Sequence, residues 1–445
     1  MAFRNLILVS ILAAALCFTG CDSGGSKPSP KPTPTPTSTS GNSVTPTPIP
    51  TPIFPEGSGT EIDPYLIYTA AQLDQVRNGL DKCYRVMADI NLSAYTNWNP
   101  IGTEHEPFYG HLDGDNHIIS NLTIDRPGIE SQGLFGCMNN SSEVSNLVLQ
   151  NPNVSGYYSV GSLVGTMILG AVTNCSVTGT TTITSTAGQA GGLIGFESHG
   201  TVTNSSASVS VSSGLSAVGG LLGVNYYGTV TNCHATGNTE GNSFMGGLIG
   251  NNYGTVTLCY ATGTVTGIGS NKVGIGGLVG ENYSANISQS HATGNVSGTE
   301  GIGGLFGSNY GGSISRCYAT GSVNGTRTVG GLVGRAYDST ITNSYATGSV
   351  TGDEIGGGLV SYCIGNITNS YAAGHVTVTT GDTGGLVGYI YGDITGCYYD
   401  TNTSGQTDTG NGDPKTTAEM KQQATFVGWD FTAIWDITTG YPFLR

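Results

Sequence analysis

Short apolar and β-branched runs alternate with Gly, Asn and Asp along most of this chain, and the whole pattern repeats. Each repeat is marked by a Gly-Gly-Leu core followed by Ile, Val, Leu or Phe, which recurs every 27 to 30 residues from residue 161 onward. In the repeat at residues 328–351, three β-like runs are centred on Leu332, on residues 341–346 and on Val350. The Gly, Asn and Asp residues between the runs tolerate turn geometry. A fixed period in this range predicts a solenoid with about three short strands in each coil.

Residues that share a position in the repeat should stack in columns, because each coil pairs with the next at a spacing of ~4.8 Å. Two apolar columns and one column of small residues are predicted to face inward, and the small residues fit a narrow corner where the chain bends. The apolar columns are Leu193, Leu221, Leu248, Leu278, Leu305, Leu332, Leu359 and Leu386, and Val172, Val202, Val230, Val256, Ile287, Ile314, Ile341, Ile367 and Ile394. The small column is Cys175, Ser205, Cys233, Cys259, Ser290, Cys317, Ser344, Ser370 and Cys397. The fold class is therefore predicted to be all-β, a right-handed parallel β-helix of about ten coils.

The composition limits the classes of partner. Gly supplies 72 of the 445 residues, only 10% of residues are charged, and the net charge is −15. No cluster of Lys and Arg could follow a phosphate backbone or an anionic membrane surface, which argues against a nucleic-acid partner. Five of the ten cysteines lie in the Cys/Ser column. We expect these to be buried free thiols, because neighbouring side chains in a column, such as Cys233 and Cys259, point in parallel and would strain a disulfide.

The ends of the chain differ from the repeats. Residues 1–20 have a basic Arg4 and an apolar stretch typical of a signal peptide. Residues 19–21, Thr-Gly-Cys, resemble a bacterial lipobox, so Cys21 is the predicted lipidation site. Residues 21–55 are rich in Thr and Pro and predict an extended stalk. Membrane contact is thus expected only through the lipid anchor, and the protein is expected to be exported and anchored at the bacterial cell envelope.

Both flanks of the array carry signals for small caps. Thr69 and Gln72 match a capping box ahead of Leu73 and Val76, which have helical spacing. Near the other end, Thr416 or Thr417 precedes a short helical pattern, followed by Trp429, Phe431 and Trp435 as bulky residues to seal the solenoid. We predict an N-terminal cap with the first coils at residues 56–131, a repeat body at residues 132–398 and a C-terminal cap at residues 399–445.

The repeat has a recognisable signature. Gly-Gly-Leu-Val-Gly, then Asn-Tyr-Gly, then Thr-x-Thr-Asn-Cys-Tyr-Ala-Thr-Gly-x-Val resembles the GLUG-motif repeat of bacterial surface proteins and lipoproteins. The resemblance covers about residues 132–398. It implies a repetitive extracellular scaffold, since relatives are adhesin-like or peptidase-associated surface proteins, and it supplies no catalytic residue to carry over.

The residues give little support for catalysis. Acidic residues in the array fall in different columns, whereas a glycosidase needs two carboxylates at a defined separation. His105-Glu106 is followed by Pro107, so the zinc-binding His-Glu-x-x-His spacing is absent. Asp113 and Asp115 are weak metal candidates, because their spacing lacks the alternating ligands of a calcium loop. No catalytic residue and no cofactor are predicted.

Two aromatic columns are the strongest candidates for binding. The first is Tyr226, Tyr253, Tyr283, Tyr310, Tyr337 and Tyr391, and the second is His234, Tyr260, His291, Tyr318, Tyr345, Tyr371 and Tyr398. By alternation the second column should face outward. An exposed row of rings could stack on sugars, with Tyr260, His291, Tyr318, Tyr345 and Tyr371 as candidate glycan contacts. In the other interpretation, the rings stack on one another and shield the coil.

The sequence therefore predicts a non-enzymatic, lipid-anchored cell-surface scaffold or adhesin. Its long β-helical face would contact a glycan or a cell-surface protein. The alternative function is a carbohydrate-active β-helix enzyme, either a polysaccharide lyase or a hydrolase.

Overall fold

The structure is a computed structural model that describes Phe54 and residues 56–268, 272–409 and 411–445. The predicted signal peptide, the lipidation site Cys21 and almost all of the predicted stalk lie outside the described residues. In the described part, parallel strands form a β-solenoid of about 12 turns, which confirms the all-β solenoid prediction.

Four parallel sheets run along the solenoid. Sheet 1 has 21 strands: Tyr65–Ile67, Cys83–Val86, His111–Asp113, Phe135–Asn139, Glu143–Ser145, Val164–Ile168, Ala171–Thr173, Ile194–Ser198, Thr201–Thr203, Leu222–Tyr226, Thr229–Thr231, Ile249–Asn252, Thr255–Thr257, Val279–Tyr283, Ile287–Ser288, Phe306–Tyr310, Ser313–Ser315, Val333–Thr342, Val360–Thr368, Val387–Tyr391 and Ile394–Thr395. Sheet 2 has 13 strands: Ile90–Asn91, Ile118–Ser120, Val148–Gln150, Ser176–Thr178, Ser206–Ala207, His234–Ala235, Tyr260–Ala261, His291–Ala292, Tyr318–Ala319, Tyr345–Ala346, Tyr371–Ala372, Tyr398–Asp400 and Asp413–Lys415.

The remaining two sheets are shorter. Sheet 3 has 10 strands: Thr123–Asp125, Asn153–Gly156, Thr182–Ser185, Ser210–Ser213, Thr239–Gly241, Val265–Gly267, Val296–Ser297, Val323–Asn324, Val350–Gly352 and Val376–Val378. Sheet 4 has nine strands: Val160–Gly161, Ala190–Gly191, Ser216–Gly219, Ser243–Gly246, Val273–Gly276, Glu300–Gly303, Thr328–Gly330, Ile355–Gly357 and Asp382–Gly384.

A typical coil therefore contains more strands than the three predicted. The coil at residues 194–219 has five, in the order sheet 1, sheet 1, sheet 2, sheet 3 and sheet 4. Two of the predicted runs are each divided in two. The run around Leu332 becomes a sheet 4 strand that ends at the first Gly and the start of sheet 1, and the run at residues 341–346 becomes the end of sheet 1 and a strand of sheet 2.

The coils enclose two separate cores. The predicted Leu and Val/Ile columns lie in the larger core, where Leu193 and Val202 have no exposed surface. Sheets 3 and 4 face each other across a smaller core that includes Val211, Val218 and Ile275. The second Gly of each Gly-Gly pair permits a close approach inside the main core: a Cβ on Gly192 would lie only 2.8 Å from the Cβ of Ala207. A side chain on Gly192 would therefore collide, although the looser copy of the motif at residues 161–163 has Ser162 at the equivalent position.

The predicted small-residue corner is confirmed, and hydrogen bonding explains why Cys and Ser alternate there. The chain turns at a left-handed residue such as Asn232, with φ of 52°. The Sγ of the following Cys233 accepts from the Ser205 backbone N–H at 3.4 Å and donates to the Thr231 carbonyl at 3.2 Å. Cys and Ser are small and can donate and accept, so they satisfy a backbone N–H, such as that of Ser205, that has no backbone partner at the turn. As predicted, the column cysteines Cys175, Cys233, Cys259, Cys317 and Cys397 are buried free thiols.

Short helices lie at both ends. At the N-terminal end, the helix Ala70–Gln75 begins as predicted after Thr69, whose hydroxyl accepts from the Gln72 N–H at 3.2 Å, and it leads into the 3-10 turn Val76–Asn78. At the C-terminal end, a helix spans Thr401–Ser404. The helix Thr417–Met420 has Thr416 as its N-cap and a complete capping box, and the 3-10 turn Gln423–Thr425 follows.

The C-terminal residues protect the last strand edges. Gln406 Nε2 donates to the Val376 carbonyl at 3.0 Å at the edge of sheet 3. Asn411 Nδ2 donates to the Val387 carbonyl at 3.2 Å at the edge of sheet 1, and Asp413–Lys415 extends sheet 2. Covering unpaired backbone groups in this way limits edge-to-edge aggregation. A small antiparallel pair, Trp435–Asp436 with Phe443–Leu444, completes the chain.

Candidate functional site

The predicted outward-facing row on sheet 2 is a stack of rings, named here the sheet 2 ladder. Parallel pairing sets the register, because each ring residue pairs with its equivalent in the next coil. Consecutive ring centroids are 4.5 to 5.2 Å apart, and the ring planes differ by only 2° to 8°. The ladder consists of His234, Tyr260, His291, Tyr318, Tyr345 and Tyr371.

This stacking decides which part of each ring a ligand could reach. Tyr260 lies between His234 and His291, so both of its faces are covered by neighbouring rings. The four rings from His234 to Tyr318 are half-buried, with their edges toward solvent. Partial burial lowers the pKa of His234 and His291, which favours the neutral imidazole. The interior rings can therefore offer ring edges and hydroxyl groups to a ligand, but not a face.

The predicted exposure is wrong for Tyr345 and Tyr371. These side chains are only 9% and 1% exposed, because the C-terminal segment folds over them. The Tyr371 hydroxyl donates to the Pro442 carbonyl at 2.7 Å, and the Trp435 indole N–H donates to Asn343 Oδ1 at 3.3 Å. The two tryptophans at the C-terminus thus cover the side of the last coils, over the ladder. The sequence had predicted that they would seal the end of the solenoid, and they do not lie there.

A second aromatic row lies on sheet 1 and is named here the sheet 1 ladder. Tyr253, Tyr283, Tyr310 and Tyr337 stack with centroids 4.6 to 5.3 Å apart and ring planes within 13°. The row then continues with Tyr362, whose ring centroid is 5.6 Å from that of Tyr337, and with Tyr389, 5.0 Å from Tyr362. Tyr391 shares the strand register of Tyr337 but is 74% exposed. At this end, the stacked row therefore no longer follows the column that the sequence predicted.

A polar column inside the main core was missed by the sequence reasoning. Asn225, Asn252, Asn282 and Asn309 have no exposed surface, and each Nδ2 donates to the Oδ1 of the next residue at 2.7 Å. This series of hydrogen bonds ends at Ser339 Oγ, which accepts from Asn309 Nδ2 at 2.9 Å. The signal was present, because these Asn residues recur at the repeat spacing directly before an outward-facing residue, and alternation should have placed them inside.

Glu197 occupies the same column one coil before Asn225. It has no exposed surface, and its Oε1 accepts from the Gly200 backbone N–H. Its Oε2 has no hydrogen-bond partner among the described residues. Burial raises the pKa of this carboxyl to about 8, so the acid is mostly neutral at pH 7.

The structure brings together some acids that the sequence left scattered. Arg327 contacts Glu300 at 3.1 Å and Glu354 at 3.2 Å, and Arg335 also pairs with Glu300. Glu281 is only 6% exposed; burial raises its pKa to about 7, although it accepts a hydrogen bond from the Tyr283 hydroxyl. These groups satisfy one another in ion pairs and hydrogen bonds, and Glu281 has little surface for a substrate.

One of the two weak metal candidates, Asp113, is already engaged. Asp113 accepts from the Asp115 N–H and from Asn146 Nδ2, both at 3.0 Å, and it contacts Arg85 at 3.3 Å. In the part of the chain that the structure describes, no group of three or more His, Cys, Asp or Glu side chains is placed to hold a metal ion. Over the same residues, no helix is both long and apolar enough to span a bilayer.

The fold and its ladders define a repeat-built β-solenoid, and comparison with known proteins agrees with this class. The family model of the GLUG motif matches residues 214–239, 273–297, 298–324 and 325–351. The chain therefore carries at least four GLUG-motif repeats, which confirms the resemblance seen in the sequence.

Two relatives share part of the array. The chain is 40% identical over 171 residues to Halomucin from Haloquadratum walsbyi, a match that covers 35% of this chain and 2% of that protein. It is 38% identical over 135 residues to a protein of Evansella cellulosilytica named "Putative Gly-rich membrane protein", covering 28% of this chain and 16% of the relative. The chain thus spans only a small fraction of the relatives that it matches.

Among solved structures, one similar chain is that of "a putative immunoglobulin A1 protease from Bacteroides ovatus". The TM-score is 0.29 and the identity is 20%, over 88% of this chain and 95% of that chain. At this level of similarity, the comparison supports no inference about activity.

Proposed function

We propose that this protein is a non-enzymatic scaffold or adhesin of the bacterial cell surface. A lipid on Cys21 would anchor it, and its solenoid would face a glycan or a protein of another surface. The observation that carries the proposal is the continuity of the ladders from coil to coil. Backbone pairing, stacked rings and buried amides all run along one axis and together favour a stiff rod with periodic lateral faces.

Two further observations support a location at the cell envelope. The first 20 residues have the composition of an export signal, and residues 19–21 resemble a lipobox. One relative is named as a membrane protein. The Thr/Pro-rich residues that follow Cys21 suit a spacer between the lipid and the solenoid.

The geometry of the sheet 2 ladder reduces the set of residues that we propose to contact a glycan. Tyr260, His291 and Tyr318 are partly exposed and remain the proposed contacts, through their ring edges and polar atoms. Tyr345 and Tyr371 are not proposed as contacts, because the C-terminal segment covers them.

The anchor and the contact can be tested separately in cells that express the full chain. Metabolic labelling with an alkyne fatty acid should label the wild type and not a Cys21→Ser variant. Display at the surface should make the protein sensitive to added protease on intact cells. Cells that display it should adhere to glycan-coated or cell-coated wells more than cells carrying an empty vector. Full labelling of Cys21→Ser would contradict the anchor, and adhesion equal to the empty vector would contradict the adhesin.

A further inference from the structure

At the N-terminal end of the sheet 1 ladder, the aromatic side chains no longer stack in parallel. The centroid of the Tyr226 ring lies 4.5 Å from that of Tyr227, with the ring planes at 66°. It lies 5.4 Å from that of Tyr253, with the planes at 61°. The His199 ring lies 5.9 Å from Tyr226 at 75°. Further along the row, from Tyr253 to Tyr337, the planes agree within 13°. The rings at this end therefore turn faces outward that the regular ladder keeps covered.

The two outermost rings of this cluster are open to solvent. Tyr227 is 58% exposed and His199 is also exposed. They occupy the same turn in consecutive coils, because Ser198 pairs with Tyr226 in the strands just before them. The next coil is one residue shorter at this turn, because Asn225 pairs with Asn252 and Thr229 with Thr255, so it has no residue equivalent to Tyr227. The space beside the Tyr227 ring is therefore not filled as it would be in a continuous ladder.

The backbone at this turn is unusual for large side chains. His199 and Tyr227 have φ values of 56° and 59°, in the left-handed region that bulky residues rarely adopt. The same turn in later coils carries Ser284, Gly311 and Asp338. Large side chains at this turn, which include Leu169 in the preceding coil with φ of 57°, bear a conformational cost.

The turn is held from below by the buried Glu197. Its Oε1 accepts from Gly200 N–H, directly after His199. Its Oε2 lies 2.1 Å from the place where a Cβ on Gly228 would be, directly after Tyr227. Glu197 therefore packs against both turns that carry the exposed rings, and it leaves no room for a side chain at residue 228.

We propose that His199, Tyr226 and Tyr227, together with the Phe196 ring 6.5 Å from that of Tyr226, form a binding subsite for a neutral pyranose sugar, with the Tyr227 ring as the stacking platform. This inference deepens the proposed glycan contact and rests on it. It moves the centre of that contact away from the sheet 2 ladder, whose interior ring faces are occupied.

The chemistry of the cluster favours a sugar over a cation. Aromatic faces pack against the apolar C–H face of a pyranose ring, while hydroxyl and imidazole groups at the rim can hydrogen-bond to its hydroxyls. The Tyr226 and Tyr227 hydroxyls lie close enough to interact, and Ser198 Oγ is 2.9 Å from His199 Nδ1, which orients the imidazole. A cation cage would gain most from an ionised carboxylate at the cluster, but Glu197 is fully buried beneath the turns and mostly neutral at pH 7.

The test measures binding of the full chain to cellohexaose, chitohexaose, mannohexaose and laminarihexaose by calorimetry, with choline chloride as a cation probe. Tyr227→Ser places at this turn the residue type that Ser284 carries at the equivalent turn, so the fold should tolerate it. Tyr227→Phe keeps the ring without its hydroxyl, and His199→Ala removes the second exposed ring. Tyr391→Ala is the matched control, because Tyr391 is 74% exposed but lies outside the cluster.

We expect at least one hexaose to bind. Tyr227→Ser and His199→Ala should weaken that binding about five- to tenfold, Tyr227→Phe should stay within about twofold of wild type, and Tyr391→Ala should leave it unchanged. Equal urea midpoints for wild type and Tyr227→Ser would show that the loss is not due to unfolding.

Three results would overturn the subsite. Sugar binding that Tyr227→Ser leaves unchanged would refute it while keeping the proposed glycan contact elsewhere on the solenoid. Binding of choline in place of any hexaose would make the cluster a cation site. If none of the four hexaoses binds, the subsite is refuted, and the anchor and adhesion assays judge the scaffold on their own.

Discussion

The buried carboxyl of Glu197 should make this protein less stable as pH rises. Burial raises its pKa from the ordinary 4.5 to about 8, even though the hydrogen bond from Gly200 lowers it in part. Between these two values, the folded protein holds a proton that the unfolded chain releases. The free energy of unfolding therefore falls as pH rises through this window and changes little from this source below 4.5 or above 8.

The size of the effect follows from the two pKa values. A change from 4.5 to about 8 corresponds to roughly 5 kcal/mol of unfolding free energy lost once pH exceeds both. Glu281 acts with the same sign over a narrower window, because its pKa is raised to about 7, and it contributes roughly 3 kcal/mol. Both are large beside the roughly 5–15 kcal/mol that stabilises an ordinary domain.

The assay is urea unfolding followed by circular dichroism at about pH 5, about pH 7 and about pH 9. Glu197→Gln keeps the size of the side chain and cannot ionise, so its stability should fall much less than that of wild type between about pH 5 and about pH 9. Glu240→Gln is the matched control, because Glu240 is exposed. Parallel pH profiles for wild type and Glu197→Gln, or a wild type that gains stability as pH rises, would refute the reasoning.

Substitutions at three further residues test the buried amide column, the small-residue corner and the C-terminal cover. Asn252→Ala removes the hydrogen bonds to Asn225 and Asn282 at 2.7 Å and should cost about 2–4 kcal/mol in urea unfolding; a cost below ~1 kcal/mol would contradict the buried amide column. Cys233→Ser keeps a donor and an acceptor and should change stability by less than ~1 kcal/mol, whereas Cys233→Ala should cost about 1–3 kcal/mol; equal melting temperatures for the two would contradict the hydrogen-bonding account of the corner. Trp435→Ala should destabilise the packing of the C-terminal segment by about 3–5 kcal/mol, so a protease should remove the segment faster. An unchanged cleavage rate would contradict this prediction.

Much of the fold could be predicted from the sequence because the repeat makes each position a column. The Leu and Val/Ile columns, the small corner and the N-cap residues Thr69 and Thr416 were all predicted, and the structure confirms them. The strand count was underestimated because the sequence pattern did not separate the strand before each Leu from the strand after it, or the strands on either side of the small-residue corner. In the repeat at residues 328–351, the first division falls between Thr328–Gly330 and Val333–Thr342, and the second falls between Val333–Thr342 and Tyr345–Ala346.

The candidate site was harder to predict because periodicity shows which residues align but not what covers them. The sequence placed His234, Tyr260, His291, Tyr318, Tyr345, Tyr371 and Tyr398 in one row. The structure keeps that row as far as Tyr371, and the Tyr398 ring packs against Phe426 and Trp429. It gave no sign that ring faces would be occupied by the rings next to them. It also gave no sign that residues 420–445 would return over Tyr371.

By itself, then, the sequence determined the solenoid, its axis of stacking and the residues that line each column, because a repeated local pattern must place equivalent residues at equivalent positions. Tertiary structure alone decided exposure and ionisation. Tyr371 and Tyr227 are both tyrosines of aromatic rows, yet one is 1% exposed and the other 58%. That difference comes from contacts between residues far apart in the chain, and so does the burial that raises the pKa of Glu197 to about 8. Such contacts leave no periodic mark in the sequence.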